Sequence, residues 1–131
     1  MSVFSKIISG DVKCYKIAED EHHLAFLDIN PLKKGHTLVI PKIEVDNIFD
    51  LDDSAFAHLH LFAKGVANAM KKAITCKKIG VAIIGLEVPH AHIHLIPIDN
   101  VAEINFTQPK LALLAPDMEA LASQIREYYT A

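Results

Sequence analysis

The 131-residue chain has no tryptophan, only two cysteines and five glycines, and no excess of basic charge. Each shortage excludes something. Cys14 and Cys76 lie far apart, so a disulfide-stapled secreted scaffold is not expected and a reduced, cytoplasmic setting is the default. Lys and Arg total 13 against 16 Asp and Glu, for a formal charge of −3. A nucleic-acid binder carries a basic stripe, and none is visible. No apolar run approaches the roughly 20 residues of a membrane helix; the longest candidate, residues 79–86, is interrupted by Gly80 and Gly85. The opening stretch has no apolar core of a secretory signal. With 51% hydrophobic and 22% charged residues, and no linker, repeat or low-complexity tract, one globular domain over residues 1–131 is expected.

Local patterns set the expected fold. Phe4, Ile7 and Ile8 predict a short helical turn stopped by Gly10. Residues 13–18 and 22–29 read as strands, the second placing Leu24, Phe26 and Asp28 on one face. Asn30-Pro31 turns the chain, and residues 35–40 form a third strand that Pro41 ends. Asp52, Asp53 and Ser54 offer N-cap chemistry to a long helix. Its apolar stripe is Phe56, Leu59, Ala63, Val66 and Met70, with Lys71 and Lys72 at the negative end. Gly65 inside it costs about 1 kcal/mol relative to Ala, for which close packing is the simplest reason. Residues 79–84 read as a fourth strand buried on both faces, and 91–98 as a fifth. A C-terminal helix follows Pro116, with Met118, Leu121 and Ile125 on one face. The order β-β-β-α-β-β-α gives an α+β fold: a mostly antiparallel five-stranded sheet with one long central helix and a C-terminal helix.

Histidine is the residue in surplus, with eight copies. His90, His92 and His94 alternate with Ala91, Ile93 and Leu95. On a strand the three imidazoles project together, about 6–7 Å from one to the next. An exposed polar strand face would explain the row, but Lys, Thr or Glu would serve that face as well. Metal binding would need a third ligand from elsewhere, because three same-face residues of one straight strand diverge too little to close on an ion. Phosphorus chemistry uses the row more fully. A neutral imidazole is a competent nucleophile near pH 7, and its neighbours can stabilise phosphoryl charge. Gly85, ahead of the row, can take positive φ and let backbone N–H groups approach an anion; alone, such a glycine is more often just a turn.

The stretch from His90 to Ile96 resembles the His-φ-His-φ-His-φ-φ signature of the histidine triad (HIT) nucleotide hydrolases and transferases. The likeness extends over most of the chain, through residues 4–10, 25–31 and 35–42. It implies a HIT-like fold and roles that spacing does not show. His92 would attack the α-phosphorus of a nucleotide and form a nucleotidyl-histidine intermediate that water hydrolyses. His94 would contact phosphate oxygens, and His90 would support and orient His92. Asp28 would hold the ribose hydroxyls; without the resemblance it reads as a cap on the Asn30-Pro31 turn. Val3, Phe4, Ile7, Phe26 and Ile29 would line the base pocket, with Gly85 and Glu87 at the nucleotide; each apolar residue reads equally as core. His36 reads as structural, and His58 and His60 as helix-surface residues. The resemblance further implies a purine nucleotide-type substrate and a homodimer built on the long helix and an adjacent strand. It requires no metal and no other cofactor.

Several positions depart from the family pattern. Leu86 stands where Gln is common, and Glu87 where some members use Ser or Thr. Some bacterial relatives carry Cys-x-x-Cys near the start as part of a zinc site, where Ser2 and Ser5 stand here; separately, some relatives have a fourth His two residues past the Pro-Lys pair, where Glu44 stands. A carboxylate at Glu44 is expected to receive a ring N–H from His90. The expected function is hydrolysis or transfer at an α-phosphorus, with nucleoside phosphoramidates, dinucleoside polyphosphates or acyl-nucleotides as substrate classes. The altered Gly85-Leu86-Glu87 loop motivates an alternative, a non-catalytic nucleotide-binding sensor or scaffold, and the His content a third, a metalloprotein.

Overall fold

The computed structural model describes residues 1–130. A short helix α1 (Val3–Ser9) is capped by the Ser2 side chain at one end and by Gly10, at φ +88°, at the other. Strands β1 (Lys16–Glu19), β2 (His23–Leu27) and β3 (Thr37–Pro41) form a meander. Helix α2 (Asp53–Ala73) follows, then β4 (Lys78–Ala82), β5 (Ile93–Ile98) and the C-terminal helix α3 (Ala115–Tyr128). All neighbouring pairs are antiparallel and the sheet order is β1-β2-β3-β5-β4. The α+β architecture expected from sequence is present.

Parity along the strands assigns the two faces of the sheet. Odd-numbered Leu27, Val39, Ile93 and Leu95 join Leu59, Ala63, Val66 and Met70 of α2 and Met118, Leu121 and Ile125 of α3 in the main core. Even-numbered Leu24, Phe26, Leu38 and Ile40 face the other way and pack under Phe4 of α1. His94 lies opposite Leu38 in the β3–β5 register, so it belongs to this second, thinly covered face.

Several expectations change. β2 ends at Leu27, so Asp28 stands just beyond the strand, and β4 ends at Ala82. β1 spans Lys16–Glu19: before it only the Tyr15 carbonyl, accepting from the Leu27 N–H at 3.0 Å, bonds to β2. Pro41 closes β3 as its last residue, paired with His23, instead of standing outside it. β4 is the sheet edge, and Val81, Ile83 and Ile84 are exposed, not buried on both faces. β5 begins only at Ile93, so His90 and His92 precede the strand and His94 alone is on it.

Two glycines test the packing in opposite directions. A Cβ at Gly65 would meet Tyr129 Cε1 at 3.6 Å, an ordinary contact, so close packing does not explain that residue. Gly65→Ala is therefore expected to stabilise the fold by up to about 1 kcal/mol. Gly35 sits at φ +96°, and its Cβ would lie 2.4 Å from Ile74 Cδ1 and 3.3 Å from Pro97 Cγ. Gly35→Ala should cost about 1–3 kcal/mol. Urea unfolding of the two variants measures both shifts.

Candidate active site

A cavity of about 490 Å³ opens on the even face, within the usual range for a small-molecule site. Its lining includes Phe4, Phe26, Asp28, His36, His92 and His94. The rings of His92 and His94 lie 4.8 Å apart, closer than a straight strand gives, because His92 sits in the turn before β5. His36, immediately before β3, adds a third ring 5.1 Å from His94. His90 is fully buried and does not line the cavity. The three imidazoles gathered near the cavity are thus His36, His92 and His94, while His90 lies behind them. His58 is exposed and His60 half-buried on α2, as expected.

Backbone groups determine where the ring protons sit. The Leu32 N–H donates to His36 Nδ1 at 3.0 Å, so the proton of neutral His36 is on Nε2. That Nε2–H donates to His94 Nδ1 at 2.9 Å, which leaves His94 with its proton on Nε2. His92 Nδ1 lies 2.7 Å from the His90 carbonyl and must donate to it, so His92 Nε2 carries a bare lone pair. His90 donates from Nε2 to the Pro41 carbonyl at 2.8 Å and accepts at Nδ1 from the Ser2 hydroxyl at 2.9 Å. Nε2 of His92 and Nε2 of His94 are left without a partner among the described residues. One offers a lone pair and the other a proton.

Burial keeps this network neutral. Desolvation, aided by the neighbouring imidazole of His94, lowers the His36 pKa to about 3; desolvation, aided by His92, lowers that of His94 to about 4. Burial also lowers His90. Burial raises the Asp28 carboxyl above its ordinary value. Asp28 serves two ends: Oδ1 accepts from the Asn30 N–H at 2.8 Å, capping the turn, while Oδ2 lies 3.7 Å from His36 Nε2. With His36 neutral, that approach is not an ion pair.

Val3, Phe4, Ile7, Phe26 and Ile29 all line the cavity, Phe4 and Phe26 buried and Ile29 largely exposed. Gly85, at φ +73°, Leu86 and Glu87 all line the cavity, Leu86 being 89% exposed. Sequence reading missed Phe106 and Lys110, both on the segment between β5 and α3. Phe106 packs 4.7 Å from the His94 ring, and Lys110 lines the cavity. The Leu111 N–H, bonded to the Pro31 carbonyl at 2.8 Å, ties that segment to the Asp28 turn. Nothing local in the sequence marks such a contact.

Two donor sets bear on metal binding. Asp28, His36 and His94 bring one oxygen and two nitrogens within 4.8 Å of one another. A metal at His36 Nε2 would need the proton moved to Nδ1, where the Leu32 N–H already points, so the network opposes it. Ser2, Ser5, Glu44 and His90 also cluster, and Ser2 and Ser5 stand where the resemblance implies zinc-site cysteines in some relatives. Hydroxyls are poor zinc ligands, and these groups are consumed by bonds to one another. Glu44 does not receive a proton from His90. Its Oε1 accepts from the Ser2 N–H at 2.5 Å and the Ser5 hydroxyl at 2.7 Å, bonds that hold its pKa down at about 2. Neither set fits the ion well.

A model of the HIT domain matches residues 9–101. The chain belongs to the HIT domain family. Curated relatives of this HIT protein include Protein hit of Bacillus subtilis, 41% identical over 103 residues, which cover 72% of this chain and 69% of that one. The adenosine 5'-monophosphoramidase hnt1 of Schizosaccharomyces pombe is 38% identical over 99 residues, covering 75% and 74%. Among solved structures, the Hit-like protein from Bartonella henselae, involved in cell-cycle regulation, superposes with a TM-score of 0.84 at 29% identity, over 97% and 95% of the two chains.

The depressed imidazoles have a consequence for stability. The unfolded chain binds protons on His36, His90 and His94 as pH falls below their ordinary 6.5, while the folded chain does not. Stability from these residues is therefore complete above about pH 6.5 and declines as pH drops toward 4. The urea midpoint should fall steadily from pH 7 to pH 4.5, and His36→Asn should make that slope shallower. A flat profile would count against a neutral buried network.

Proposed function

We propose that this HIT protein acts as a nucleotide hydrolase or transferase at an α-phosphorus, with residues 1–131 working as one domain. The observation that carries the reading is the bare His92 Nε2 facing the cavity beside the Nε2–H of His94. His92 Nε2 attacks phosphorus; the P–N bond forms and the leaving group departs with its bonding pair. His92 Nδ1–H stays on the His90 carbonyl and spreads the positive charge of the nucleotidyl-imidazole. His94 donates to a non-bridging phosphoryl oxygen. Water then attacks phosphorus, gives up a proton to solvent, and the P–N pair returns to Nε2. Asp28 Oδ2 holds the ribose hydroxyls, and the apolar wall of Val3, Phe4, Ile7, Phe26 and Ile29 takes a purine-type base. Gly85 and Glu87 border the phosphate end. The substrate classes are nucleoside phosphoramidates, dinucleoside polyphosphates and acyl-nucleotides, the first favoured by the activity named for the Schizosaccharomyces pombe relative.

His92→Ala should lower turnover across a panel of those classes by about 10³-fold or more, with the urea midpoint little changed. Alkaline-quench mass spectrometry of wild type should show the nucleotide adduct on His92. A chain that binds nucleotide but forms no adduct is the sensor or scaffold instead. Asp28→Asn keeps the Asn30 cap, and should raise KM for ribonucleotides roughly tenfold while leaving 2′,3′-dideoxynucleotides unchanged.

We further propose a homodimer formed through β4 and α2. β4 is an edge with Val81 exposed, and Ile83 and Ile84 just beyond its end are exposed too, a surface that a second copy would pair and cover. Val81→Lys should shift sedimentation from dimer to monomer; a wild-type monomer would contradict it. The two cysteines are unpaired, which supports a reducing, cytoplasmic setting, and no helix among the described residues is long and apolar enough to cross a membrane.

A further inference from the structure

His90, the first residue of the histidine row, does no chemistry in this cavity: both ring nitrogens are taken by protein groups. What it contributes is its backbone carbonyl, which holds the His92 Nδ1 proton. The position of that carbonyl depends on how the ring is anchored. One anchor, the Pro41 carbonyl, is part of β3. The other is the Ser2 hydroxyl, 88 residues away in sequence and buried with it.

Ser2 is itself held in place from three directions. Its N–H donates to Glu44 Oε1, its Oγ accepts the Ser5 N–H at 3.0 Å as the cap of α1, and Ser5 Oγ donates back to the same carboxylate oxygen. Ser2 Oγ has two acceptors in reach, Ser5 Oγ at 3.3 Å and His90 Nδ1 at 2.9 Å, and the shorter contact takes the hydroxyl proton to His90, an acceptor because Nε2 carries the ring proton. Phe4, in the first turn of α1, touches both rings edge-on, 5.8 Å from His90 and 5.0 Å from His92. The start of α1 is therefore connected to the nucleophile by hydrogen bonds and by packing.

We infer that Ser2, held by Glu44, is a positioning residue: its hydroxyl locks His90 in the neutral Nε2–H form and so fixes the carbonyl that keeps the lone pair of His92 on Nε2. Ser2 touches no substrate. The inference rests on the reading of His92 as nucleophile, but its tautomer consequence does not. Without the Ser2 donor, His90 Nδ1 is left buried and unpaired, the ring rotates to find a partner, and the His90 carbonyl moves off the His92 Nδ1–H. The proton of His92 then divides between its two nitrogens, and only the fraction with a bare Nε2 is reactive.

The test compares wild type, Ser2→Ala, Ser2→Thr and Glu44→Gln. Two readouts are taken: steady-state hydrolysis of an adenosine phosphoramidate, and long-range ¹H–¹⁵N spectra of the imidazoles without ligand. Ser2→Ala should lower kcat about tenfold, with KM changing less than twofold, and should move the His92 signals toward a mixed tautomer. Ser2→Thr keeps hydroxyl and cap and should restore both. Glu44→Gln keeps an acceptor for the Ser2 N–H and should fall between the two. A Ser2→Ala protein with raised KM, unchanged kcat and an unchanged His92 tautomer would show that Ser2 only caps α1, and would overturn the inference. A wild type without turnover removes the reading of His92 as nucleophile; the spectra then decide the role of Ser2 alone, by the same two outcomes.

Discussion

Two backbone groups decide the chemistry available in this cavity: the N–H of Leu32 and the carbonyl of His90. The first points at His36 Nδ1 and pushes a proton, through His36, to the outward nitrogen of His94. The second takes the Nδ1 proton of His92 and leaves the outward nitrogen of His92 bare. A side chain with two equivalent neutral forms is thereby given a single one at each position. Burial reinforces this, since an imidazolium among these apolar walls is strongly disfavoured. The site sets an acceptor nitrogen of His92 beside the N–H of a neutral His94.

The fold exists in the form that makes those two contacts. Pleat parity sends the odd residues of β2, β3 and β5 toward α2 and α3, where the larger core forms. The even face is left with one seven-residue helix and a smaller cluster around Phe4 and Phe26. A fully covered sheet would have no room for a ligand. The thin cover on this face is the reason that a cavity lies there, bounded by His94 on the strand, by the N-terminal segment with α1, and by residues 84–88 and 106–110.

Much of this was legible in the sequence. The period-two runs around Phe26 and Ile93 assign faces, and the stripe from Leu59 to Met70 assigns the helix. What escaped did so for identifiable reasons. β4 has the composition of a buried strand, but its place at the edge follows from β5 inserting beside β3, a long-range event with no local mark. The His90 side chain follows the turn before β5, not the strand alternation, so its ring goes behind the cavity. Ser2, Phe106 and Lys110 reach the site from distant segments. Glu44 was placed near His90 correctly in space, yet its bonds run to Ser2 and Ser5 instead.

The most direct measurement of the central claim is the tautomer of each imidazole in wild type at pH 7, read from long-range ¹H–¹⁵N correlations without ligand. The hydrogen-bond chain requires His92 protonated at Nδ1 and bare at Nε2, and His94 the reverse, with neither His36 nor His94 titrating above about pH 5. A His92 carrying its proton on Nε2, or a His94 that is an imidazolium at neutral pH, would contradict it.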